Sequence, residues 1–161
     1  SKNIFGAKHS ESEMEYVIDS IKNLVKQMRR CELNDDKSQF MIIKYSLVTL
    51  LRKYFDKKPI VFVSEGALEK SKEINVDLFN ATWSDQTKFD KGRKIFHLEH
   101  KYTVSDMIND MTENPSQIEN ILESYEVGWV LKVEDSRLKR TNRKNHDVSY
   151  AQAGIIPKYR E

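Results

Sequence analysis

One cysteine in 161 residues, Cys31, excludes an internal disulfide framework and any cysteine-based zinc site. It follows "KQMRR" at the end of an expected helix and is read as structural, with the reducing cytoplasm as the expected compartment. Long apolar runs are missing as well. None approaches the ~20 residues that a bilayer-spanning helix needs. The N-terminal "SKNIFGAKHSESE" has no apolar signal-peptide core, so no membrane partner is expected. The chain begins at Ser1 without Met, and trimming or excision from a longer chain is expected. Internal repeats and low-complexity tracts are absent. Charge of one sign is scarce too: 27 Lys and Arg against 25 Asp and Glu leave a net charge of +2, which by itself announces no nucleic-acid partner.

What is present is 39% apolar and 32% charged residues, the proportions of a soluble globular chain rather than a disordered one. The length suffices for a real core. The basic residues are clustered. "SRLKRTNRKNH", residues 136–146, carries five Lys/Arg and no acid, and Lys88, Lys91, Arg93, Lys94 and Lys101 are opposed only by Asp90 and Glu99 over residues 88–101. Such clusters suit phosphate contacts, because each neutralised phosphate releases counterions. A solvated charged face explains them equally well.

Residues 11–30 read as an amphipathic helix, with Met14, Val17, Ile18, Ile21, Leu24, Val25 and Met28 at three-and-four spacing and Ser10 or Ser12 as cap. A second helix is expected from about Asp36 to Tyr54. Residues 60–63 form an expected short buried strand that enters a turn or short helix. "FDKGRK" marks a turn at Gly92, and "KIFHLEHKYTV" follows as a strand. Ser105 is the expected cap of a helix through Met111, and Pro115 stands near the start of "PSQIENILESY". "VGWVLKV", residues 127–133, is strongly β-prone and passes into "EDSRLKR", a short helix with acids in front and bases behind.

The unusual run is "RKIFHLEHKYTVSDM", in which His97 and His100 flank Glu99. Alternation puts Phe96, Leu98 and His100 on one face of the strand, and His97, Glu99 and Lys101 on the other. The histidine spacing is not the i, i+4 pair of a helical zinc protease. A carboxylate beside a histidine, followed by a second strand and an acid-headed helix, suits metal-assisted hydrolysis. Phosphodiester cleavage needs a base to activate water and a cation to stabilise charge on phosphorus and on the leaving oxygen.

"HLEHKYTVSDM" together with "VGWVLKVEDSRL" resembles the HNH (His-Me finger, ββα-metal) endonucleases, in particular a bacterial subgroup with an acid–histidine pair. The resemblance spans roughly residues 93–156, including the tail "NHDVSYAQAGI". It implies His100 as general base, Glu99 as metal ligand, and Asp135 as second ligand with Glu134 as its competitor. It also implies a Mg²⁺ (or Mn²⁺) cofactor, DNA as partner, and a restriction or phage-defence role. Arg137, Arg140, Arg143, Lys144 and Lys101 would grip the backbone, and two-strand cutting would ask for a homodimer formed through the first helices. The interval from His100 to Asp135 exceeds a compact motif, so residues 105–125 are expected as a helical insertion between the strands, and the first strand must break near residue 100. The motif's central Asn has no clear counterpart, with Asn142 and Asn145 lying downstream.

A rival set of residues, Asp90, Glu99 and Lys101, resembles the PD-(D/E)XK nuclease core, in which two acids hold Mg²⁺ and a lysine positions water. A plainer alternative makes Glu99 and Lys101 a solvated ion pair, worth little, and the histidines structural. The chain is then a non-catalytic nucleic-acid-binding or interaction module. The fold class expected is α+β: N-terminal helices, residues 1–57, packed on a small mixed sheet with a ββα-metal-like nuclease core, residues 58–161.

Overall fold

The computed structural model describes residues 14–139 and 146–161. Among them are eight α-helices and one four-stranded mixed sheet, so the protein is α+β. The chain forms two compact units: one takes the described residues up to Lys58 together with Val104–Ser124, and the other takes Pro59–Thr103 with Tyr125–Glu161.

The first unit is helical. α1 (Glu15–Leu33) and α2 (Lys37–Phe55) pack against each other, and α5 (Val104–Glu113) lies against both. Apolar residues at helical spacing drive this: Ile21, Val25 and Met28 of α1, Leu47 and Leu51 of α2, and Met107 and Met111 of α5 are all buried. Cys31 is buried on the same stripe of α1, as befits a structural thiol. Asp36 caps α2, its carboxylate accepting from the Gln39 N–H at 3.0 Å. The expected serine caps of α1, Ser10 and Ser12, lie outside the described residues. α6 (Ile118–Glu123) follows a 3₁₀ turn opened by Pro115. The Lys22 ammonium pairs with Glu119 at 2.6 Å, joining α1 to α6. The stretch expected as an insertion is thus two helices between the strands, and it belongs to the helical unit.

The second unit carries the sheet, in the order β2-β3-β1-β4. β1 (Phe62–Ser64) runs parallel to β3 (Val127–Leu131) and antiparallel to β4 (Pro157–Tyr159), while β2 (Phe96–His100) runs antiparallel to β3. β3 is central and its first four residues are buried, which is why "VGWVL" shows no alternation. Phe62, Val130, Leu138, Tyr150, Ala153 and Ile155 form a packed core. Each large apolar side chain taken fully out of water there contributes about 1.5–3 kcal/mol. The Trp129 indole N–H donates to the Ala81 carbonyl at 3.3 Å, so its one polar group is satisfied in the interior. Four short helices complete the unit's described residues: α3 (Glu65–Glu73), α4 (Gln86–Phe89), α7 (Lys132–Asp135) and α8 (His146–Gln152). No helix among the described residues is long and apolar enough to cross a membrane.

Gly128 stands opposite Phe62 in the β1–β3 register, and a Cβ placed on it would lie 2.5 Å from both the Phe62 ring and the Phe62 carbonyl oxygen. The clash is partly with backbone, so it cannot be relieved by a rotamer change. Gly128→Ala is therefore expected to cost about 2–3 kcal/mol by overpacking, read as a lower urea midpoint with an unchanged slope.

Candidate metal centre

The start of β2 is set by one carboxylate. Asp90 is buried, and its oxygens accept from the N–H groups of Lys94 (3.0 Å), Ile95 (3.1 Å) and Phe96 (2.9 Å) and from the Gln86 side-chain amide (3.0 Å). Gly92 (φ 73°) and Arg93 (φ 53°) turn the chain beneath it. The Arg93 guanidinium lies 3.6 Å over the Trp83 ring and donates to the Gln86 side-chain oxygen. With its first N–H groups anchored, the strand has a fixed phase. Phe96 goes into the core, and His97 and Glu99 both go to the opposite face.

The other half of the site comes from the corner between β3 and α7. The Leu131 N–H donates to Glu134 Oε1 (2.8 Å), and the Ser64 hydroxyl donates to the same oxygen (2.6 Å) while accepting from the Ala67 N–H (3.0 Å). The Lys132 N–H donates to the Ile95 carbonyl (2.8 Å), which ties the first residue of α7 back to the start of β2. Ser64 and Glu134 thus clamp α3, β3 and α7 together. Glu134 is used up as a clamp, and the next residue, Asp135, is the one turned toward β2.

His97 Nε2 lies 3.5 Å from Glu99 Oε2 and 3.5 Å from Asp135 Oδ1, and one ligand atom from each of the three residues falls within 4.8 Å of the others. Both carboxylates are buried, at 4% and 6% exposure, while the imidazole is about one-third open to solvent. These separations are long for hydrogen bonds. They match the spacing of donor atoms around a shared ion, since metal–ligand bonds of about 2.0–2.2 Å hold neighbouring donors about 3–3.5 Å apart. Two buried carboxylates and one accessible imidazole are a chemically coherent set for a divalent cation.

Of the residues singled out from sequence, Glu99 and Asp135 are brought together and Glu134 stays outside. His97, which had been given no role, is the third member. Its signal was present in the alternation that put it on the face of Glu99. β2 ends at His100, as a break there requires. The His100 ring, however, points to the other face and meets the Tyr125 ring edge-on, with centroids 5.5 Å apart. Asp90 is not among the three clustered residues. Lys101 is occupied elsewhere: its ammonium donates to the Tyr159 hydroxyl (2.7 Å) and pairs with Asp147 (3.0 Å) and Glu126 (3.6 Å). Burial alone would lower its pKa, but the Tyr159 and Asp147 hydrogen bonds and the Glu126 charge prevail and push it above the usual lysine value. Arg137, two residues past Asp135, is exposed, with its Nε donating to the Val133 carbonyl. Arg140, Arg143 and Lys144, with Asn142 and Asn145, lie outside the described residues.

No family model, curated protein or solved structure matches this chain.

Asp90 yields a pH-dependent expectation. Burial raises its pKa, but the hydrogen bonds from Phe96, Gln86, Ile95 and Lys94 outweigh burial and hold it below the ordinary 3.8. A carboxylate with a depressed folded-state pKa stabilises fully above its unfolded value, and that contribution disappears as pH falls through the folded value. Asp90→Asn is therefore expected to cost about 2–3 kcal/mol at pH 7. The difference from wild type should shrink below the ordinary aspartate value, as chemical denaturation at pH 7, 4 and 2.5 would register.

Proposed function

We propose that this protein is a metal-dependent endonuclease that hydrolyses DNA phosphodiester bonds. The observation that carries the proposal is the convergence of His97 and Glu99 from β2 with Asp135 from α7. That order, two antiparallel strands and then a helix around a cation-binding set, is the one the HNH resemblance implies. A divalent ion in such a set polarises the phosphoryl oxygen and lowers the pKa of a bound water toward neutrality. Glu99 and Asp135 supply the charge that holds the ion, and the one-third exposure of His97 keeps the cluster open to substrate. Arg137 and Lys139, exposed just beyond α7, begin the basic run that would take the flanking phosphates.

The proton acceptor is a separate matter. A general base must stand within hydrogen-bond reach of the attacking water. His100, turned toward Tyr125, suits that role less well than the groups on the face of Glu99. Lys101, held by two carboxylates and a phenol, likewise suits neither phosphate binding nor the lysine role of a PD-(D/E)XK core. A restriction or phage-defence setting and a cytoplasmic site of action complete the proposal; a chain whose one cysteine is buried in α1 needs no oxidising compartment to fold. Pairing of two copies for two-strand cutting is supported by Met41, Ile42 and Tyr45, which stand exposed on α2.

A plasmid-nicking assay with Mg²⁺ or Mn²⁺ tests this. Asp135→Asn, Glu99→Gln and His97→Ala are each expected to reduce cleavage by about 100-fold or more, while His100→Ala and Lys101→Ala retain most of it. Loss with His100→Ala alone would return the base to that residue. No cleavage of unmodified or modified DNA with any ion would leave a nucleic-acid-binding module instead.

A further inference from the structure

We infer that the His97–Glu99–Asp135 centre selects a first-row transition dication, of the Mn²⁺ to Zn²⁺ series, over Mg²⁺, because His97 supplies a nitrogen ligand. The inference rests on reading the cluster as a metal centre, but it concerns binding and does not require cleavage. Mg²⁺ prefers oxygen, insists on near-octahedral geometry and gives up its waters reluctantly, so it usually engages only one or two protein carboxylates. Here three protein donors converge, which asks the ion to surrender three waters at once. One donor is an imidazole, equidistant at 3.5 Å from an oxygen of each carboxylate. Imidazole is a borderline ligand that favours the later first-row ions and adds little for Mg²⁺. The two carboxylates neutralise a dication, and their burial leaves a low-dielectric site in which the choice of ligand atom matters more.

The backbone positions that carry the donors are anchored on both sides. Glu99 and His97 share a strand whose start Asp90 anchors, and Asp135 sits on a helical turn held by the Ser64–Glu134 clamp. No sulfur belongs to the cluster, so the softest ions gain no special advantage.

The experiment is isothermal titration of the full chain with MnCl₂, ZnCl₂ and MgCl₂, with the Mn²⁺ electron paramagnetic resonance signal as a second readout. Mn²⁺ and Zn²⁺ are expected to bind about tenfold or more tightly than Mg²⁺. In His97→Ala that gap should collapse while circular dichroism stays unchanged. His97→Gln, which offers an amide oxygen in the same place, keeps the test open if the alanine variant does not fold, and it too should lose the preference. Equal affinity for Mg²⁺ in wild type, or a preference that survives in both variants, overturns the inference. Transition-ion binding without DNA cleavage would overturn the nuclease proposal and leave this inference standing. Equal affinities for Mg²⁺, Mn²⁺ and Zn²⁺ beside DNA cleavage that is lost in His97→Ala, Glu99→Gln and Asp135→Asn would do the reverse.

Discussion

Everything at the candidate centre depends on the Asp90 carboxylate collecting three consecutive backbone N–H groups at the entrance to β2. A strand has a period of two, so a slip of one residue would exchange its faces. His97 and Glu99 would enter the packed side, and Leu98 would face the solvent-accessible corner. The sheet alone does not set this phase, because among the described residues β2 is an edge strand hydrogen-bonded on one side only, to β3. An ionised acceptor for Lys94, Ile95 and Phe96 supplies what the second neighbour would otherwise supply.

The opposite wall is built by a different device. Glu134 and Asp135 are adjacent acids with similar burial, yet they do different work. One carboxylate closes the β3–α7 corner against Ser64 and the Leu131 amide, and the other is thereby aimed across at β2. Gly66 sits close beside the clamp: a Cβ on it would lie 3.1 Å from the Leu131 side chain and 3.2 Å from Glu134 Oε2. A small residue at Gly66 and the buried Ser64 hydroxyl thus hold the corner from which Asp135 faces β2.

Much of this was legible in the sequence and some was not, for physical reasons. α1 and α2 announce themselves through apolar periodicity, and β3 through an unbroken β-prone run, because local pattern and burial coincide there. A short helix after β3 was expected from residue 134 with its acids in front, but α7 takes Lys132 and Val133 from the β-prone run and ends at Asp135; which of its acids would face the site depended on Ser64, seventy positions away. β4 is three residues long and pairs with β1, so nothing local marks it. His97 was placed on the correct face by alternation, but its partnership with Asp135 is a tertiary fact. Asp90 had been weighed as a ligand from its spacing to Glu99. Spacing could not show that it would spend itself on the backbone.

The two strands that carry the centre are neighbours in the sheet but not along the chain. Between them the polypeptide leaves for the helical unit, makes α5 and α6, and returns. A hairpin partner arrives within a few residues of its mate; β3 emerges from the ribosome only after this whole excursion has been synthesised. Closing so long a loop carries a larger entropic cost than closing a tight turn, and non-local pairing of this kind slows folding. During translation His97 and Glu99 therefore exist for a time on an unpaired edge, and the cluster becomes whole only when α7 follows β3 out. The three side chains can therefore meet only after α7 has been made, well after His97 and Glu99 themselves.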